Sequence, residues 1–319
     1  HHQLIRLMHF DRGLRDGQFP VRWAGKAMAG YGYPLFIFTY RLPFWVAEAW
    51  RLLGNSLVDS VKFAFIVAYW LSAVAIFLFL KDLVKNKTAA FLGTAAFIWA
   101  PYRFSDIYVR ATLGESFCFV FLPLIFWALF RLRKDFSQKF FVLAVFSLTF
   151  LLLSHGLIFF LSLPFIGLWW FYLIFRRKED RSRFILGFLL ILLITAGLSC
   201  YYWLPALSER KFIIFSQVLS RMFFHHFPTF KQLIYSPWGY GFSVEGINDG
   251  MSFQVGLSFW LALLTAFLII LYRLMKKRRM KLNLLFFFFL SFGLALFLML
   301  PNSAFVWRLV MKILVVDFP

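Results

Sequence analysis

Ser60–Leu80 reads SVKFAFIVAYWLSAVAIFLFL. Lys62 is its one charged residue. At about 1.5 Å of rise per residue, such a helix spans roughly 30 Å, the thickness of a bilayer's hydrocarbon core. Its apolar residues fall on every side, without the alternation of a barrel strand. Further runs of this kind are Thr88–Phe104, Ser116–Phe130, Phe184–Leu204, Met251–Leu271 and Leu282–Leu300. Phe140–Phe175 is longer and is broken by Ser154-His155-Gly156, which predicts two short helices joined by a tight turn. The pattern predicts an all-α, polytopic transmembrane helical bundle with about eight crossings.

Composition agrees with this. Of 319 residues, 62% are hydrophobic and 15% charged, and mean hydropathy is +0.76. Soluble domains lie near 45–50% and about 25%. An ordinary soluble enzyme is excluded, as are a disordered chain and a disulfide scaffold. The two cysteines, Cys118 and Cys200, both fall in apolar runs and read as packing residues.

The net charge of +20 would suggest nucleic acid in a soluble protein. Here four short gaps between apolar runs hold 18 of the 34 basic residues, at 81–87, 131–139, 176–183 and 273–281. The positive-inside rule makes those gaps cytoplasmic, and no nucleic-acid partner is needed. The opposite side then receives residues 1–58, a loop at 105–115, the turn at His155, a long loop at 206–250 and the tail 301–319. The organisation expected is a first outer loop over 1–58 with amphipathic helices, a bundle over 59–300 and the start of a further outer segment over 301–319. Gln3–Gln18 reads as a surface helix, and Phe44–Leu53 as a second with Glu48 and Arg51 on its polar side. The ends read as those of a fragment.

Three clusters carry candidate chemistry on that outer side. The first holds His1, His2, Arg6, Arg22, Trp23, Tyr31 and Tyr33 within a Gly- and Pro-rich loop. The second holds Asp106, Tyr108, Arg110 and Glu115. Ionisable groups at a membrane boundary are expensive unless solvated, paired or used. The third is Ser236-Pro-Trp-Gly-Tyr-Gly-Phe-Ser243 with Glu245, Asp249 and Gln254, in which Trp238 and Tyr240 offer flat faces for a lipid or a sugar ring. The bland alternatives are an interfacial aromatic belt, a loop with an Arg–Glu pair and a plain re-entry loop. His225-His226 lack the HExxH spacing of a zinc protease, and no phosphate-binding glycine motif or GxSxG is present.

His1-His2-x-x-x-Arg6, Gly17-Gln-Phe-Pro20-Val-Arg22-Trp23 and Gly30-Tyr-Gly-Tyr-Pro34 together resemble the first outer loop of a bacterial membrane family labelled 6-pyruvoyl-tetrahydropterin synthase-related. Tyr108-x-Arg110 with Glu115 is similar to the family's second outer loop. Ser236–Ser243 with Ser252-Phe-Gln-Val-Gly256 resembles a later one, and Val316–Pro319 the start of an FPWR segment. That family looks like a branch of the GT-C membrane glycosyltransferases. The resemblance implies sugar transfer from a polyprenyl-phosphate donor to a glycan, lipid or protein acceptor, on the outer face of a bacterial inner membrane. It implies catalytic roles for Asp106, Glu115 and Arg110, and substrate contacts at His1, His2, Arg6, Arg22, Trp23, Tyr31, Tyr33, Tyr108, Trp238 and Tyr240. It also implies a divalent ion, Mg or Mn, at Glu115 or Asp106. GT-C enzymes place an acidic residue in this first loop; the position expected for it lies before His1. The rival readings are a non-catalytic transporter and an assembly subunit for lipid-linked glycans. A transporter should carry ionisable residues in mid-helix, whereas these runs are nearly free of charge.

Overall fold

The computed structural model describes residues 2–176, 179–213, 227–244, 248–276 and 283–314. Among them every long element is an α-helix, and the one β-pairing is an isolated bridge between Ala24 and Tyr33. In chain order the helices are α1 (His2–Arg15), α2 (Leu35–Phe38), α3 (Leu42–Arg51), α4 (Leu57–Val84), α5 (Lys87–Ile98), α6 (Pro101–Phe104), α7 (Leu113–Lys134), α8 (Gln138–Ser154), α9 (Gly156–Arg176), α10 (Arg181–Glu209), α11 (Phe230–Ile234), α12 (Leu257–Met275), α13 (Asn283–Met299) and α14 (Ala304–Leu314). The chain divides into two compact units, one of 1–98 with 111–209 and the other of 99–110 with 210–319. Residues 99–110, expected within the 59–300 bundle, group with the chain's later half.

In the first unit, α4 packs chiefly on α7 and α5, and α7 on α8. Ser60, Ala64, Ala68, Ser72, Ala75 and Phe79 of α4 are buried, at steps of three and four. That is one helical face, built mostly of small residues that let neighbouring backbones approach. Ile66, Trp70, Leu71 and Val74 point out and stay exposed, as lipid-facing residues would. Above this stripe sits a core of Leu7 and Phe10 from α1, Phe36, Phe44 and Ala47. Phe10 meets Phe36 edge-on at 5.2 Å and Trp45 at 5.0 Å. The first loop is thus a folded cap whose core continues into α4 and α7 through Val61, Ala64, Ala68, Leu113 and Phe117.

Among the described residues five helices are long and apolar enough to cross a membrane: α4, α7, α9, α10 and α12. The pair α13 and α14, bent by 88°, makes a sixth if counted as one span. The apolar runs at Thr88 and Phe140 form helices of 12 and 17 residues. The first reaches only about 18 Å, too little to cross alone, because Pro101 opens a new helix just beyond it. The break at His155 is as expected: α8 ends at Ser154, His155 is extended (φ −165°), and α9 begins at Gly156.

In the second unit, α12 and α13 pair through Trp260 on Phe292 and Phe267 on Phe289. Thr229 and Gln232 cap the short α11 reciprocally. Val255 N–H bonds Leu233 O at 3.0 Å, tying the chain before α12 to α11.

Candidate functional site

The sequence clusters fall into two places, one in each unit. In the first unit, α1 brings Gln3 and Arg6 to Tyr40. Gln3 Nε2 donates to the Tyr40 hydroxyl at 3.0 Å and to Ala111 O at 2.8 Å. Arg6 Nη1 reaches the same hydroxyl at 3.4 Å. The Tyr40 ring lies between Phe44 (5.5 Å) and His155 (5.8 Å). Burial pushes the Tyr40 hydroxyl above its ordinary pKa, and the Arg6 charge opposes this. Burial and then Arg6 also hold His2 below the usual histidine value, favouring its neutral form.

The next residue, Arg41, is 0% exposed. Its Nε donates to Phe36 O at 2.5 Å, and its guanidinium lies 5.5 and 5.3 Å from the ring centres of Tyr201 and Tyr202. Its two terminal nitrogens have no hydrogen-bond partner among the described residues. Burial lowers its pKa first of all, with the tyrosines opposing and nearby Arg22 adding to the fall. Arg keeps its charge even so. Two cation–π contacts of about 2 kcal/mol each, when desolvated, offset part of a burial cost of several kcal/mol.

The other residues of the first cluster do not join this packing. Gln18 clasps the loop by accepting from Arg22 N and Trp23 N and donating to Trp23 O. Trp23 packs on Gly32, whose positive φ and lack of a side chain make the contact possible. Tyr31 is 89% exposed, and Trp23 and Tyr33 are also open. His1 lies outside the described residues, as do His225, His226 and Glu245. Glu115 is buried in the first turn of α7, where the helix dipole favours a carboxylate.

The second unit holds the other cluster. Residues Ser105–Val109 form a turn of π-helix, with Arg110 N–H on Ser105 O at 2.9 Å. Such turns often re-aim side chains at functional sites. Asp106 is 1% exposed and lies 3.6 Å from Arg110 Nη1, which also donates to the Tyr102 hydroxyl at 2.8 Å. Arg110 and Asp106 thus form an ion pair. Ser105 Oγ bonds Ser252 O at 3.3 Å, and Ser252 Oγ bonds Ser236 O at 2.9 Å, which joins this turn to the 236–243 loop. Asp249 orders the loop by accepting from Gln232 Nε2, Ser243 Oγ and Val244 N. Gly239 and Gly241 press against Gly250, leaving no room for side chains.

This scaffold opens a cleft of about 500 Å³ lined by Trp99, Pro101, Phe104, Tyr108, Trp238 and Tyr240. Phe104 stacks on Tyr108 at 6.1 Å, and Trp238 meets Tyr240 edge-on at 5.9 Å. Trp99, Tyr108, Trp238 and Tyr240 remain between 44 and 76% exposed, so their faces are available. The structure brings together Tyr108, Trp238 and Tyr240, and adds Trp99, Pro101 and Phe104, which sequence reasoning had placed only in a helix end. Arg41 was also missed; its signal was a basic residue in Tyr40-Arg41-Leu42-Pro43 with no acid nearby.

Asp106 is buried beside Arg110 and holds that guanidinium in place. Among the described residues no three His, Cys, Asp or Glu side chains converge, and Asp106 faces a cation.

Fold and sites together define a class: an all-α polytopic helical bundle with membrane-crossing helices, a folded polar cap and an aromatic cleft. No family model matches the chain, and no solved structure does. An uncharacterized protein of Lactococcus lactis subsp. cremoris (strain MG1363) is 27% identical over 213 residues, which is 65% of this chain. The chain spans about a third of that relative's length, 34% of it.

Proposed function

We propose that this chain is the membrane-embedded part of a glycosyltransferase that takes a sugar from a polyprenyl-phosphate donor, on the side of a bacterial inner membrane opposite the basic loops. The observation that carries the reading is the aromatic cleft of the second unit. Its rings offer flat apolar faces to a sugar, whose C–H groups stack on aromatics while its hydroxyls stay solvated. Arg110, held by Asp106 and Tyr102 in that same unit, supplies a planar cation for a phosphate. The resemblance of the outer segments to a membrane family that looks like a branch of the GT-C glycosyltransferases points the same way. Membrane-length helices nearly free of charge along their middles suit a reaction confined to loops better than a transport path.

The chemistry is an inverting displacement. A carboxylate takes the proton of an acceptor hydroxyl, whose oxygen bonds to the anomeric carbon as the bond to the lipid phosphate breaks. The departing phosphate keeps the electron pair, and Arg110 stabilises that charge.

Membranes holding the full-length protein, given radiolabelled polyprenyl-phosphate sugars, provide the test. Trp238→Ala with Tyr240→Ala should raise the donor KM about tenfold or more, since each lost ring contact is worth about 1 kcal/mol. Arg110→Ala should slow transfer roughly 100-fold. Full activity in all these variants at unchanged expression would overturn the site. Absence of transfer from every donor would favour the transporter or assembly reading.

A further inference from the structure

At the other end of the first unit the helix ends enclose a second cavity, of about 540 Å³. It is lined by seven cations: Lys81 and Lys85 from the end of α4, Lys87 from the start of α5, Arg131, Arg133 and Lys134 from the end of α7, and Arg176 from the end of α9. Among the described residues Asp82 is its one lining carboxylate, and it is already engaged. It accepts from Trp127 Nε1 at 2.7 Å and lies 3.4 Å from Arg131. Arg133 is also committed, donating to Leu173 O and Glu179 O. Lys81, Lys85, Lys87 and Arg176 are exposed at the rim. Phe130 and Leu173 give the cavity an apolar wall.

We infer that this cavity binds the phosphate head group of an anionic lipid. Topology alone requires basic residues in loops, but not their convergence on one concave site with an apolar wall. The cations sit in or next to the terminal turns of helices long enough to span, which is the depth of lipid phosphates. A head group with two phosphates would meet ammonium and guanidinium groups from four helices while its glycerol and acyl stems lie on Phe130 and Leu173. Basic pockets between helices suit such head groups, and each cation near an anionic surface is worth about fivefold in affinity. The two-residue turn Lys85-Asn86 holds the rim: Lys85 caps α4 in a left-handed conformation, and the Asn86 side chain caps α5 by accepting from Ala89 N at 3.0 Å. This inference stands apart from the proposed transferase activity and survives its failure.

The probe is the whole protein in nanodiscs of phosphatidylcholine, alone or with a minor share of cardiolipin, read by thermal unfolding and by native mass spectrometry of retained lipid. Cardiolipin should raise the unfolding temperature and remain bound. The triple variant Lys85→Gln, Lys87→Gln, Arg176→Gln should retain it on the order of a hundredfold more weakly. These side chains are exposed, so the fold is kept; the single variant Lys87→Gln, expected to lose about fivefold, checks this. Inorganic pyrophosphate added to phosphatidylcholine discs should give no comparable shift. Equal lipid retention in wild type and variants would overturn the inference, as would stabilisation by pyrophosphate that matches cardiolipin.

Discussion

Glu48 shows how one residue can contradict its pattern. Its neighbours Arg51 and Leu52 suggest a solvated face, yet Glu48 is 0% exposed. Helix α3 buries Pro43, Phe44, Ala47 and Glu48 together, because that face closes on α1. There it meets Asp11, whose carboxylate is held by Arg15 at 3.0 Å. Burial first, then the Asp11 charge, raises Glu48 to about 7, with Arg51 and Arg15 opposing. The folded cap therefore binds this proton more tightly than the unfolded chain does. Its stabilising effect is full below about pH 4.5 and is lost as pH rises toward 7. Glu48→Gln should remove this drift and stabilise the protein at pH 8 by about 1–3 kcal/mol, while gaining nothing at pH 5. Thermal unfolding of both proteins in detergent at the two pH values would decide it; parallel pH profiles would reject the buried proton.

At the scale of elements, the start of α7 passes through a gap that only glycine fits. A methyl at Gly114 would stand 2.5 Å from Ser154 O and 2.8 Å from the Tyr40 ring. Gly167, in the middle of α9, has nothing within 4 Å of such a methyl. Gly114→Ala should thus cost about 1–3 kcal/mol through forced displacement of the cap, while Gly167→Ala should be neutral or gain up to about 1 kcal/mol. The unfolding temperatures of the two variants test this, and equal effects would refute it. The same contrast marks what was legible in the chain. Helices announced themselves through long apolar runs, and the break at His155 through its small polar neighbours. The shortness of α5 did not show, because Trp99 to Phe104 continues the apolar pattern while Pro101 starts a new direction. Arg41 was invisible because its shelter comes from Tyr201 and Tyr202, some 160 residues away. Tyr108, Trp238 and Tyr240 were found because exposed aromatics beside glycines are informative locally. Their common cleft depends on Ser105 reaching Ser252, a pairing that no local pattern encodes.

For the whole molecule, the side shared by the first unit's basic helix ends follows from the basic cavity without counting crossings. Lys85, Lys87, Arg131 and Arg176 line one space, so the ends of α4, α7 and α9 and the start of α5 share one side. Between Leu53 and Lys85 stands α4 alone, 28 residues and about 42 Å long, ample for one crossing. In a background without Cys118 and Cys200, cysteines at Lys85 and Asp180 should react with an impermeant thiol reagent from one face only. Cysteines at Tyr31 and Leu53, both exposed in the cap, should react from the other. The positive-inside rule assigns the first pair to the cytoplasm. Labelling of Leu53 and Lys85 from the same face would mean that α4 does not span. The cap would then share a compartment with the basic cavity, and the small-residue stripe of α4 would need a soluble explanation that its exposed Ile66, Trp70, Leu71 and Val74 do not offer.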